Sequence, residues 1–227
     1  GIVSRFDINP SRVVVVPWGV EPIHASPEAV AESIVSVRER YNLPERWFIY
    51  PAITYPHKNH ITLVKAFAEL AARHSDVALV LTGRRAGAET EVRDEIDRLG
   101  LANRVVRTGR IDRTDLEGLL AGAVAMPFPS LYEGFGLPVL EAMAASTPVI
   151  SSNTTALPEA VGDAGVLLDP EDVDGWRDAL ETMLDPEERE RFVLSGRARA
   201  AEFSWSRTAA GTMAVHRKFL DELHLLS

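Results

Sequence analysis

The densest chemistry in the sequence lies between Pro129 and Ala142, reading Pro-Ser-Leu-Tyr-Glu-Gly-Phe-Gly-Leu-Pro-Val-Leu-Glu-Ala. Gly134 and Gly136 let a backbone approach a ligand closely. Pro138 suits the first position of a helix, where its missing N–H costs nothing. Free amides around Gly136 and Leu137 would then point outward at the positive end of the helix dipole, a place for a phosphate. Glu133 and Glu141 bracket that anion site and would repel a phosphate. A carboxylate is an acceptor-only group, and a vicinal diol can bind one through two hydroxyls. One Glu for ribose hydroxyls, one for sugar hydroxyls and a diphosphate between them make a coherent nucleotide-sugar site. Taken alone, each has a plainer explanation: Glu141, on the first turn, favours the dipole, and Glu133 is a surface loop residue. Lys58 stands in a polar loop further upstream. Breaking a sugar–diphosphate bond builds negative charge on the leaving group, and a fixed cation there favours that state. Without the two glutamates, Lys58 would read as a solvated loop lysine.

These residues need elements to carry them. Short β-branched runs alternate with longer amphipathic stretches, and no fixed internal period occurs. A four-valine run, Val13 to Val16, stops at Pro17, Trp18 and Gly19. Strands are predicted at Trp47–Tyr50, Val77–Thr82, Val105–Val106, Val124–Phe128, Pro148–Ser151 and Val166–Leu168. Helices are predicted at about Pro27–Tyr41, Asn59–His74, Glu89–Leu99, Asp112–Leu120 and Leu137–Ala145, with a short one near Leu157. From Glu171 to the end the pattern is helical. Apolar strands alternating with helices imply a parallel sheet covered on both faces. The expected fold is α/β, a doubly wound Rossmann-like parallel sheet with a helical C-terminal tail. Such folds bind ligands at the carboxyl ends of strands. The loops after Tyr50, Thr82, Thr108 and Phe128 all lie there.

Bulk properties narrow the classes. The chain has 227 residues, 46% hydrophobic and 25% charged, enough for one domain with a proper core. A net charge of −9 is a poor match for nucleic acid, which demands a basic surface. No stretch is long and apolar enough to span a membrane, and no secretory signal opens the chain. The absence of cysteine excludes disulfides and thiol catalysis and fits a reducing compartment. The chain begins with Gly1 rather than Met, as a fragment or a processed chain would.

Glu133 and Glu141, with seven residues between them, resemble the E-x7-E motif of family 4 (group 1) retaining glycosyltransferases. The Gly134-Phe135-Gly136-Leu137-Pro138 filling is similar too. Val16-Pro17-Trp18-Gly19-Val20-Glu21 resembles the family's V-P-N-G-V-D stretch. Tyr50 to His60 resembles its diphosphate-holding loop, and Phe203-Ser204-Trp205 its tail. The resemblance implies one half of a GT-B architecture. Residues 1–227 would form the nucleotide-sugar donor domain, and the N-terminal acceptor domain would be absent from this chain. It further implies that Glu141 binds ribose and that Glu133 lies by the transferred sugar. Amides of Gly134, Phe135 and Gly136 would contact sugar hydroxyls, the Leu137 amide a phosphate, and Lys58 the diphosphate. Gly109 and Ile111 are expected against the base through their backbone, though they equally suit plain strand ends.

One departure stands out. Many members carry an Arg a few residues before this Lys, where the present chain reads Pro51-Ala52-Ile53-Thr54. Thr54 could supply a hydroxyl there, or Arg84 or Arg85 could reach in from the next loop. The Pro-His-Lys-Asn-His form resembles members that look like mannosyl- or related hexosyltransferases, which favours GDP-mannose as donor. The activity implied is hexose transfer with retention, without an essential metal, to a saccharide or lipid-linked acceptor held mainly by the other domain. The same resemblance places the protein in the cytoplasm, with room for peripheral membrane contact at the inner face. A sugar-nucleotide epimerase of the same architecture, and a non-catalytic nucleotide-binding module, are the rival readings.

Other motifs read as structure. Asp172-Val173-Asp174 spells D-x-D but follows Pro170 and opens a helix, so it reads as a cap. His57 and His60 lack a third ligand for zinc. Gly134-x-Gly136 is no dinucleotide fingerprint, because Val139 stands where the third glycine would be. Arg189, Arg191, Arg197 and Arg199, interleaved with glutamates, read as a solvated helix face, and Trp205 as a packing anchor.

Overall fold

The computed structural model describes residues 2–21 and 26–224, with side chains as far as residue 221. Six strands form: β1 Arg46–Pro51, β2 Val77–Thr82, β3 Val105–Gly109, β4 Met126–Phe128, β5 Val149–Ser152 and β6 Val166–Leu168. The helices are α1 Ile2–Phe6, α2 Pro27–Arg40, α3 His60–Arg73, α4 Glu89–Arg98, α5 Arg113–Ala121, α6 Leu137–Ala144, α7 Leu157–Val161, α8 Val173–Thr182, α9 Pro186–Ala201 and α10 Trp205–His224. The predicted strands and helices fall within a few residues of these.

Two all-parallel ladders form, in the orders β1-β2-β3 and β4-β5-β6. A parallel bridge between Phe48 and Ala125 joins them, with Ile49 donating to the Ala125 carbonyl at 3.2 Å and Val124 to the Trp47 carbonyl at 2.8 Å. Read across that seam the order is 3-2-1-4-5-6, the doubly wound Rossmann order. The chain leaves β1 on one side and returns to β4 on the other, which opens a crevice at their carboxyl ends.

The strands read as unbroken apolar runs because both faces are covered. All six residues of β2 are buried, as are Trp47 to Tyr50 of β1. Helix α3 supplies Leu63, Val64, Phe67 and Leu70 at helical spacing on one face and Trp176 of α8 packs into the same core. The buried indoles of Trp47 and Trp176 each donate to a carbonyl, of Leu119 and Asp169, at 2.9 Å. Asp172 caps α8 by accepting from the Gly175 amide at 3.0 Å, as its position predicts.

The four-valine run pairs with no strand: Val14 and Val15 are exposed, and Val16 lies against α10 at Gly211. Thr208 donates to the Pro17 carbonyl at 2.7 Å, and the Val20 amide to the Phe203 carbonyl at 2.8 Å. A side chain at Gly19 would collide with the Trp205 backbone, so it is the backbone there that packs; the Trp205 side chain is 53% exposed. Arg199 is no solvated residue. It donates to the carbonyls of Ala160 at 3.0 Å and Glu159 at 2.5 Å, satisfying the C-terminal end of α7. Among the described residues no helix is long and apolar enough to cross a membrane.

Candidate functional site

Two loops flank the crevice, residues 52–59 after β1 and residues 129–136 after β4. They are tied to each other: the Leu131 amide donates to the His57 carbonyl at 2.8 Å. Ser152 Oγ donates to the Ser130 carbonyl at 2.5 Å, and the Glu133 amide donates to Thr155 Oγ1 at 3.0 Å. Gly136 takes φ +90° at the N-cap of α6, and an added Cβ would stand 3.0 Å from Leu157 Cδ2. Gly134 faces open space. Among the described residues the amides of Gly134, Phe135, Gly136 and Leu137 meet no protein acceptor. They form the run of outward donors that an anion or a hydroxyl oxygen can take. Leu137 rather than Pro138 is the first helical residue; Pro138 is the second, whose N–H would be unsatisfied as well.

Lys58 ends the 3-10 turn Pro56–Lys58. Its carbonyl accepts the buried Tyr50 hydroxyl at 2.7 Å, and Asn59 follows in the left-handed conformation, φ 52°. Asn59 Nδ2 donates to the Pro170 carbonyl at 2.7 Å, anchoring the turn to the far side of the sheet. So held, Lys58 Nζ pairs with Glu133 Oε1 and lies 5.4 Å from the centre of the Phe128 ring. Ser130 Oγ donates to the same carboxylate oxygen at 2.6 Å. The structure thus brings together Lys58 and Glu133 from opposite sides of the switch point, beside the row of amides.

Glu141 stands apart from that pair. It is the fifth residue of α6, beyond the first turn, so favouring the dipole is not its role. It lines a recess of about 240 Å³ together with Glu21, Ile111, Arg113, Leu116 and Glu117, which Glu133 does not line. Burial pushes the Glu141 carboxyl above the ordinary glutamate value, with the Arg113 charge pulling the other way. No protein donor meets that side chain among the described residues.

The remaining candidates divide. Thr54 is buried and its hydroxyl is committed, accepting from the Ala86 amide at 2.7 Å and donating to Glu89 at 3.3 Å. It ties the loop after β2 to the loop after β1 and offers no hydroxyl outward. Arg84 is exposed and reaches the Tyr55 hydroxyl at 3.4 Å, while Arg85 turns to Glu89 at 3.5 Å. Gly109, at φ +71°, uses its carbonyl to accept from Gly83 N at 2.9 Å and Thr82 Oγ1 at 3.1 Å. The Phe135 ring turns away from the amides and packs against Phe203 and Trp18, with centroids 6.1 and 6.4 Å apart. Its side chain is structural, and only its backbone faces the site.

His60 is buried with neither ring nitrogen bonded, and burial pushes its pKa down to about 4. His57 instead stacks on Tyr55. Ser130, Tyr50 and Thr155 escaped sequence reasoning because each acts through the orientation of a side-chain hydroxyl, which residue types and spacing do not fix. So did the pair of Arg107 with Glu89, in which one guanidinium nitrogen donates to both carboxylate oxygens at 2.5 and 2.6 Å.

A doubly wound sheet with a lysine–glutamate pair and a donor-lined helix start at its switch point defines a Rossmann-like α/β domain. The comparisons with known proteins go further. The sequence profile described as "Glycosyl transferases group 1" matches residues 33–199. The O-antigen chain mannosyltransferase B of Escherichia coli is 36% identical over 220 residues, covering 95% of this chain and 57% of its own. The MMP alpha-(1->4)-mannosyltransferase of Mycolicibacterium hassiacum is 34% identical over 224 residues, covering 96% and 51%. Among solved structures, the sucrose-phosphate synthase of Thermosynechococcus elongatus superimposes with a TM-score of 0.80 at 25% identity, over 97% of this chain and 56% of that one. The chain belongs to the group 1 glycosyl transferases. It spans little more than half the length of these two mannosyltransferases.

Proposed function

We propose that the chain is the donor-binding half of a retaining hexosyltransferase. Its donor is a nucleoside-diphosphate sugar, with GDP-mannose favoured, and its acceptor is a saccharide or lipid-linked hydroxyl held mainly by an N-terminal domain. The observation that carries this reading is the convergence of Lys58, Glu133 and the unpaired amides of residues 134–137 at the switch point. The mannosyltransferase relatives support the choice of sugar.

The diphosphate would sit on the Gly136 and Leu137 amides at the start of α6. A bound donor would divide the Lys58–Glu133 pair. The ammonium turns to the diphosphate, where it stabilises the charge that grows as the sugar–oxygen bond breaks. The Glu133 carboxylate, still oriented by Ser130, accepts a sugar hydroxyl and holds the anomeric carbon in line. Glu141 would take the ribose diol from its own recess. With the cation and amides handling the diphosphate, the reading calls for no essential metal. Closure of the second domain over the crevice would exclude water, so the chain alone should bind nucleotide and transfer little sugar. Membrane contact, if the acceptor is lipid-linked, would come from the whole protein at the inner face of the membrane.

Two measurements test this. Calorimetric titration should show nucleoside diphosphates binding this chain, weakened by Glu141→Ala. NMR of the product made by the full-length protein from GDP-mannose should show the α-anomer of the donor retained. Failure of every nucleotide to bind would end the proposal.

A further inference from the structure

The recess beside Glu141 has a charge pattern that goes beyond holding a nucleoside. Its walls carry Glu21, Glu117 and Glu141 against one cation, Arg113. That balance disfavours phosphate and suits the uncharged end of a nucleotide, with Ile111 and Leu116 offering apolar contact to a ring. The remaining charge on the recess wall, Asp112, is spent capping α5, where it accepts from the Asp115 amide at 2.8 Å. Arg113 is different. Its Nε donates to Glu117 Oε1 at 2.7 Å, one helical turn on, which fixes the plane of the guanidinium. Both terminal nitrogens remain without a protein acceptor among the described residues.

A guanidinium end so presented is a two-pronged donor, and its match is a pair of adjacent acceptors. On the Hoogsteen edge of the purines only guanine offers two, O6 and N7. Adenine places a donor, the N6 amino group, beside N7, where it meets the fork N–H to N–H. Uracil has no two neighbouring acceptors, its O2 and O4 being separated by N3–H; cytosine has a pair, N3 and O2, on its Watson–Crick edge, so loss of N7 is what distinguishes guanine reading from cytosine reading.

Resting on the reading that this domain binds a nucleoside diphosphate, we propose that Arg113, oriented by Glu117, reads the base of the donor and selects guanine. A two-pronged contact of this kind is worth about 5- to 150-fold in affinity.

The test is calorimetric titration of the chain with GDP, CDP, UDP, ADP and 7-deaza-GDP, repeated on Arg113→Ala and Arg113→Lys; CDP binding as tight as GDP would overturn the choice of guanine. Arg113 is exposed, so neither substitution disturbs the core. The native chain should prefer GDP over UDP and ADP by about tenfold or more. It should bind 7-deaza-GDP, which lacks the N7 acceptor, several-fold more weakly than GDP. In Arg113→Ala the bases should fall to within about twofold of one another and the 7-deaza penalty should vanish. Arg113→Lys, a point charge without a fork, should not restore it. Equal or tighter binding of UDP or ADP to the native chain would overturn the assignment, as would a GDP preference that survives Arg113→Ala. Binding without base preference thus sinks this inference alone, whereas no nucleotide binding at all sinks the transferase reading beneath it.

Discussion

Replacing Lys58 by Met removes the cation and keeps the length of the stem. Its folding cost follows from how the pair is buried. The two side chains are 17% and 14% exposed, between the surface limit of about 0–1 kcal/mol and the buried limit of about 3–5 kcal/mol for breaking one partner. Ser130 Oγ still donates to Glu133 in the variant, at 2.6 Å in the native arrangement, so the orphaned carboxylate keeps one donor. About 2 kcal/mol is the expected loss, read as a lower urea midpoint with an unchanged slope. The catalytic cost should be larger. A unit cation about 4 Å from developing charge, at an effective dielectric of about 20, contributes roughly 4 kcal/mol. Losing one preorganised charge-stabilising group costs about 10²- to 10³-fold in kcat. The assay is initial-rate transfer from GDP-mannose by the full-length protein, at a temperature where both forms are folded. Lys58→Arg should recover only part of the rate, since a planar fork does not replace a compact ammonium. A kcat within about fivefold of native would refute the leaving-group role. A loss confined to KM would recast Lys58 as a ground-state binder.

Other expectations can be checked on the isolated chain. Glu141→Gln should weaken nucleotide binding yet stabilise the fold at neutral pH. Burial raises the carboxyl above its ordinary value, so the native group favours folding below that value and loses the contribution as pH rises; the variant's advantage should close under acid, in urea titrations at several pH values. His60 has the opposite sign. Its folded pKa of about 4 lies under the ordinary 6.5, so stability present above 6.5 is lost as pH falls through 6.5 toward 4, by roughly 3 kcal/mol at most. His60→Met should flatten that segment of the stability–pH curve. Gly136→Ala should cost about 1–3 kcal/mol, because φ +90° is strained for alanine and its Cβ meets Leu157. Gly134→Ala, in open space, should leave the urea midpoint nearly unchanged while weakening donor binding.

Much of this protein was legible in one dimension. A strand buried on both faces must be a continuous apolar run, and a helix on a sheet must repeat near 3.6 residues, so β1, β2 and α3 announce themselves. Asp172 was readable as a cap, and Glu133, Glu141 and the intervening glycines carry the family's pattern, because these signals are local. What stayed hidden depends on partners far away in the chain. The valines at 13–16 have strand composition, but strand status requires a ladder neighbour, and α10 occupies that side. Thr54 looked available until Ala86 and Glu89 claimed its hydroxyl. Lys58 and Glu133 lie 75 residues apart, and only the strand order, with β1 next to β4, sets them together. Folding likewise leaves Glu133 off the wall of the recess that Glu141 lines and turns Phe135 toward Phe203. Residue types and spacing determined which chemistry this chain could carry. Tertiary packing decided which groups share a crevice, because hydrogen bonds and ion pairs act over a few ångströms and only the folded chain brings such distant residues that close.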